Sequence, residues 1–217
     1  MGTSDLQELA ALITEPMRTT AGKAFLEIVP PTLDLLAGGK PASLEEIAAA
    51  AGKSPQEVRA ALDRFPSAKW DEQSKFVGLG LTLQLTPHCL ELEGHTLFAW
   101  CALDALLFPA LLARPASIES PCRGTGDPVH IEVTPARIEA AEPPSAVVSI
   151  VAARDLATVH SVACNNTHFF SSPEVASRWL EKHPEATILP VEDAFRLGRL
   201  IAQELFDISP SADTERE

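Results

Sequence analysis

The sequence predicts an α+β protein, in which an N-terminal helical, winged-helix-like module precedes a mixed, mainly antiparallel sheet-and-helix domain. Three observations carry this. Serine capping boxes and helical apolar spacing dominate the first third of the chain. From about Phe76 the apolar residues alternate on a period of two. Helical periodicity then returns in two segments near the C-terminus. The boundaries fall at residues 1–75, 76–206 and a polar tail, 207–217, expected to be disordered.

The N-terminal elements follow from capping chemistry. Ser4, with Gln7 three residues on, opens a helix carrying Leu6, Leu9, Ala10 and Ile13, and Pro16 stops or bends it. A second helical segment, residues 24–37, is interrupted by Pro30 and Pro31 and ends at Gly38-Gly39. "SLEE" at 43–46 caps a short helix that ends at Gly52. "SPQE" at 54–57 caps the next, with Pro55 at its first position and Val58, Ala61, Leu62 and Phe65 on one face. Two short helices about a glycine turn have the form of a helix-turn-helix, and "AKWDEQSKFVGLGLTLQLT" supplies a wing that turns near residues 71–74. In a DNA-binding protein, residues 55–64 would be the recognition helix, offering Gln56, Arg59 and Arg64.

The second part reads as strands. Residues 79–85 alternate as one half-buried strand, and "HCLEL" (88–92), "HTLFAW" (95–100) and "PVHIEVTP" (128–135) continue the pattern. "AVVSIVA" (146–152) is apolar enough to be central, and "VACNNTHFF" (162–170) is expected to be a further strand. Helices are expected from Ser172-Pro173 to about Lys182 and over 191–206, the latter turning Ala194, Phe195, Ile201 and Leu205 to a core.

Composition narrows the partners. The net charge is −13, split as −3 over residues 1–85 and −10 over 86–217. Neither part offers the cationic face that nucleic acid or an anionic membrane requires, so neither is an expected partner. The apolar run from Ala105 to Ala113 falls far short of the roughly 20 residues that span a bilayer. The N-terminus carries acids where a secretory signal carries bases, and the expected location is cytoplasmic.

Cys89, Cys101, Cys122 and Cys164 are separated by 12, 21 and 42 residues. The absence of a Cys-x-x-Cys pair disfavours a zinc ribbon or thioredoxin motif, and a cytoplasmic chain rarely uses structural disulfides. Neither a Gly-x-Ser-x-Gly elbow nor a His-Glu-x-x-His motif occurs. What stands out is "FAWCALD" (98–104), a thiol and a carboxyl three residues apart in the most apolar segment. If a helix begins there, Cys101 and Asp104 share a face, the helix dipole favours a thiolate, and the apolar setting raises the Asp104 pKa. On spacing alone, a helix-start Asp satisfied by backbone amides beside a core cysteine is the leading reading. Cys164 lies in "ACNNTHFF", where His168 is a base or ligand candidate, although a lone His in a strand is more often a core residue. Two thiols that converge would bind a soft metal ion.

These residues resemble the organomercurial lyases, or alkylmercury lyases. The resemblance rests on "GLGLTL" (78–83), "LFAWCALDALLFPALL" (97–112), "CRGTGDPV" (122–129) and "CNNTHFF" (164–170), and covers roughly residues 76–206. Members also begin with a small winged-helix-like module, which this N-terminal third matches loosely. The resemblance implies protonolysis of R–Hg⁺ to a hydrocarbon and Hg(II). Cys101 and Cys164 would be the catalytic thiolates that bind mercury, Asp104 the proton carrier and a further mercury ligand, and Cys122 a structural residue. It implies no cofactor, release of the product to cellular thiols, and hand-off of Hg(II) to mercuric reductase. Trp100, Leu103, Leu106 and Phe108 would frame the organic group. Asn165 stands where some members carry a second cysteine, and Cys89 has no counterpart. The alternative is a winged-helix thiol-based metal sensor, or a soft-metal carrier without catalysis.

Overall fold

The computed structural model describes residues 2–65, 67–153 and 155–207. Apart from Asp207, the tail expected to be disordered lies outside the described residues.

Helix α1 (Thr3–Pro16) has Gly2, not Ser4, as its N-cap, and the Asp5 carboxylate reaches back to accept from the Gly2 amide at 3.2 Å. Pro16 ends α1, and the chain continues as a π-helical turn, Met17–Ala21, before α2 (Gly22–Ala37). Pro30 and Pro31 do not interrupt α2. Each proline removes only one donor, and the buried face of Phe25, Ile28, Val29, Leu33 and Leu36 holds the helix by tertiary packing. Helices α3 (Leu44–Ala51) and α4 (Pro55–Leu62) form the expected pair. Both capping boxes close, Ser43 with Glu46 at 2.7 and 3.2 Å and Ser54 with Glu57 at 2.8 and 3.3 Å.

The wing is a hairpin of β1 (Lys69–Trp70) and β2 (Phe76–Leu79), whose turn is held by the Asp71 carboxylate accepting from the amides of Gln73 and Lys75. Residues 79–85 are not one strand. Gly80, at φ 76°, folds β3 (Leu81–Thr82) back antiparallel on β2. A Cβ at Gly80 would lie 2.8 Å from Cζ of Phe108, so the turn leaves no room for a side chain.

Beyond it come β4 (His88–Leu92), β5 (His95–Ala99), α5 (Ala102–Leu111), β6 (Ala116–Pro121), β7 (Pro128–Val133) and β8 (Ile138–Glu142). They complete an eight-stranded sheet of order β1-β2-β3-β5-β4-β6-β7-β8, so the wing of the N-terminal module is the edge of the main sheet. Every described pairing is antiparallel. A second, three-stranded sheet has β9 (Val147–Ile150) at its centre, flanked by β10 (Phe169–Phe170) and β11 (Thr187–Pro190). Helices α6 (Pro173–Leu180) and α7 (Val191–Phe206) lie where periodicity placed them. Helix α7 crosses α5 so closely that a Cβ at Gly198 would be 3.2 Å from Cα of Leu107. No helix among the described residues is long and apolar enough to cross a membrane.

The strand expected over 162–170 is reduced to Phe169–Phe170. Before it the chain forms a π-helical turn, Val159–Ala163, and a 3₁₀ turn, Cys164–Asn166. Asn166 Nδ2 donates to the Val162 carbonyl at 2.8 Å and Thr167 Oγ1 to that of Ala163 at 2.9 Å. Such local bonds compete with a strand ladder, and here they win.

Candidate active site

Cys101 leaves β5 in extended conformation and caps α5, its sulfur taking the place of the usual cap oxygen and accepting from the Asp104 amide at 3.4 Å. The thiol therefore stands at the positive end of the helix, one residue ahead of its first turn. Cys164 comes from the 3₁₀ turn on the opposite side. The Ala102 amide, one of the donors a helix start leaves without an intrahelical partner, donates to the Thr167 carbonyl at 3.2 Å and ties the two cysteine segments together. Ser149 of β9 secures the turn from beneath. Its hydroxyl donates to the Asn166 carbonyl at 2.8 Å and accepts from the His168 amide at 3.0 Å.

The result joins the three expected residues. One sulfur each from Cys101 and Cys164 and one oxygen of Asp104 all lie within 4.8 Å of one another. The Cys164 thiol faces Asp104 Oδ2 at 3.9 Å. Both cysteines are buried and unpaired by disulfide. Asp104 keeps some accessible surface, but its carboxyl sits among apolar side chains.

Burial, by disfavouring charge, pushes the Asp104 carboxyl up from 3.8 to about 6, against the lowering effect of the two thiols. Burial also holds the Cys101 thiol well above its ordinary value, with further raising contributions from Cys164 and Asp104. The Asp104 amide lowers it less, so the helix start does not make Cys101 a thiolate at rest. For Cys164, a hydrogen bond with Cys101 favours the thiolate, but burial and the Asp104 charge outweigh it and the thiol is raised. At neutral pH the resting trio is two thiols beside a carboxylate that is mostly ionised and one step from protonation.

Asp104 and Cys164 of the trio line an apolar cavity of about 90 Å³. Helix α5 contributes Asp104, Leu107, Phe108 and Leu111, one face at helical spacing, and Trp100 and Cys164 extend that wall. Trp100 and Phe108 are where the sequence placed them. Leu103 and Leu106 point elsewhere, because they lie off this face of α5 and are buried in the core. The N-terminal module also lines it, with Phe25, Leu26, Val29 and Leu33 of α2 and Phe65 after α4, and α7 adds Ile201, Leu205 and Phe206.

His168 does not join the trio. Its ring meets Trp179 edge-on at 5.9 Å, and burial, helped by Arg123, lowers it to about 4, which makes it a neutral, half-buried residue. Cys122 lies at the end of β6, its sulfur accepting from the Ser171 amide at 3.3 Å. Cys89 sits on β4, opposite Phe98 and Glu119. Ser149, Thr167 and the cavity residues of α2 were not singled out by sequence reasoning. Ser149 gave one usable signal, a polar residue inside an otherwise apolar strand.

Two buried sulfurs and a carboxyl around one small volume define the class, a donor set that could hold a soft metal ion. The alkylmercury lyase family model matches residues 81–203, and the model for the helix-turn-helix domain of alkylmercury lyase matches residues 8–80. The chain is 51% identical to an alkylmercury lyase of Staphylococcus epidermidis over 83% of this chain and 84% of that one. It is 43% identical to one of Bacillus cereus over 96% of both chains, and 47% identical to one of Streptomyces lividans over 81% of both. The crystal structure of the mercury-bound form of MerB2 superposes with a TM-score of 0.76 at 25% identity, over 94% of this chain and 100% of that chain. The chain belongs to the alkylmercury lyase family.

Proposed function

We propose that this protein cleaves the carbon–mercury bond of alkyl and aryl mercurials by protonolysis, with Cys101, Cys164 and Asp104 as its catalytic residues. The supporting observation is the convergence of both sulfurs and the Asp104 carboxyl within 4.8 Å, with Cys164 and Asp104 at the wall of an apolar cavity.

A mercurial arrives as a thiol adduct, R–Hg–SR′. One enzyme thiol bonds mercury and its proton leaves with R′SH. The second thiol bonds the same mercury and passes its proton to the Asp104 carboxylate, which lies 3.9 Å from the Cys164 sulfur. Two sulfurs push electron density toward carbon, and Asp104 delivers the held proton to it as the carbon–mercury bond breaks. R–H leaves, Hg(II) stays as the dithiolate, and Asp104 is again a carboxylate. A pKa near 6 suits a group that must first accept and then donate near neutral pH. Holding three reacting groups in one cavity supplies much of the remaining acceleration.

This reading needs no resident cofactor, because mercury is substrate and product. External thiols, those of mercuric reductase included, take Hg(II) away, which suits a cytoplasm rich in reduced thiols. Nucleic acid and membranes are outside its partners. Arg59 of the expected recognition helix is held by Asp63 at 2.9 Å and lies over the Trp70 ring at 5.0 Å. A metal sensor or carrier would use the two sulfurs but would have no task for Asp104. Phenylmercury incubated with the protein and excess small thiol is expected to release benzene, and no benzene would overturn the reading.

A further inference from the structure

The helix-turn-helix module walls the cavity, and two of its aromatic rings do so as a unit. Phe25 of α2 and Phe65 after α4 stack with centroids 5.3 Å apart and planes 5° from parallel. Both are buried, and both line the cavity that Asp104, Cys164 and Trp100 share. Because the stack bridges two elements of the module, its position is set by that module's packing, whereas the cysteines stand at the start of α5 and in the 3₁₀ turn. Resting on the lyase reading above, we propose that the Phe25–Phe65 stack determines specificity by limiting the size of the organic group on mercury.

The argument is one of volume and polarity. A substituent on mercury held at Cys164, beside Asp104, has this cavity as its apolar space. About 90 Å³ is available, whereas an apolar protein cavity that takes up benzene measures about 150 Å³. A methyl or ethyl group fits that volume, whereas an aryl ring exceeds it and must displace part of the lining, to which the stack contributes two rings. The walls beyond Asp104 and Cys164 are hydrocarbon, including Leu33, Leu107 and Ile201, so the preferred groups are neutral and small. The helix-turn-helix form is thus put to use as a substrate wall.

The test is a pair of changes with opposite expected signs. Phe65→Leu enlarges the space and Val29→Phe, on the same wall, reduces it. kcat/KM is measured for methylmercury and phenylmercury with the same excess thiol, by methane and benzene release, and thermal melts report folding. The phenyl-to-methyl ratio is expected to rise about tenfold in Phe65→Leu and to fall about tenfold in Val29→Phe, the scale of a methylene-sized change in an apolar pocket. Phe25→Leu serves in place of Phe65→Leu if the latter does not fold, with the same expected sign. A generally weakened fold would lower both substrates together and leave the ratio alone. An active wild type whose ratio is unmoved by these changes overturns the specificity assignment and leaves the lyase reading standing. A wild type that releases no hydrocarbon from either mercurial overturns both.

Discussion

Cys122 and the pair Cys101 and Cys164 occupy opposite electrostatic settings. Burial raises the Cys122 thiol, but the Ser171 hydroxyl, Thr125 and the amides of Ser171 and Gly124 outweigh it and bring it down to about 7. Cys101 and Cys164 have few such donors and are pushed the other way. By acidity alone, Cys122 would be the reactive cysteine. Yet among the described residues, only the high-pKa thiols have a second sulfur and a carboxyl within reach. For mercury chemistry this is the more useful arrangement. In the mechanism proposed above, a thiol that keeps its proton until metal arrives hands that proton to Asp104, from which it ends up on carbon. An already ionised thiol would bind mercury and have nothing to donate.

The sharpest way to break this comparison is to exchange the roles. Cys101→Ala and Cys164→Ala are each expected to abolish hydrocarbon release, whereas Cys122→Ala retains it. Loss of turnover in a folded Cys122→Ala would collapse the distinction. Asp104→Asn removes the proposed proton carrier and leaves both sulfurs. Hydrocarbon release should fall by about 10²–10⁴-fold, the range of a general acid–base residue, while mercury binding by the two thiols persists. Wild-type turnover in Asp104→Asn would exclude the proton-carrier role.

The same substitution has a smaller, pH-dependent effect on stability. Asp104 titrates at about 6 in the fold against an ordinary 3.8. A raised carboxyl favours the folded state only while it is protonated, so its contribution is complete below 3.8 and is lost as pH rises through 6. At neutral pH the buried charge costs about 3 kcal/mol, which Asn avoids. Asp104→Asn is therefore expected to melt higher than the wild type at pH 7 and to lose that advantage near pH 4. An equal difference at both pH values would mean that the cost is not one of ionisation.

How much of this was readable beforehand varies with the length of the interaction. The capping boxes at Ser43 and Ser54 are decided within four residues, and both formed as read. Gly80 was misread as part of a strand because "GLGLTL" alternates on a period of two, and only the nearby Phe108 ring shows that the chain must turn there. The 162–170 segment was misread because its apolar flanks hide side chains that bond backward to the chain. Cys101 and Asp104 were visible as a pair by spacing, and family resemblance supplied Cys164. The Ala102–Thr167 bond that joins their segments spans 65 residues and leaves no local pattern. The N-terminal wall of the cavity was illegible for the same reason. Phe65 reads only as part of an apolar helix face and Phe25 carries no signal of its own, until the fold brings both to the cavity that Asp104 lines.

The mildest test concerns Cys122 alone. Its thiol is lowered from 9.0 to about 7, so the thiolate favours the folded state. That contribution is complete above 9.0 and is lost as pH falls through 7. At pH 6, with the thiol protonated, Cys122→Ala is expected to cost about 1–2 kcal/mol, in keeping with the loss of a buried, bonded side chain. The cost should be larger at pH 9 than at pH 6, as read by denaturant unfolding at both. Ser171→Ala removes one of the hydroxyls that lower the thiol, so it should move the Cys122 titration upward, as followed by thiolate absorbance, and should flatten that pH dependence. If Cys122→Ala costs the same at both pH values, its sulfur acts only by filling space. The contrast with Cys101 and Cys164 would then be one of geometry alone.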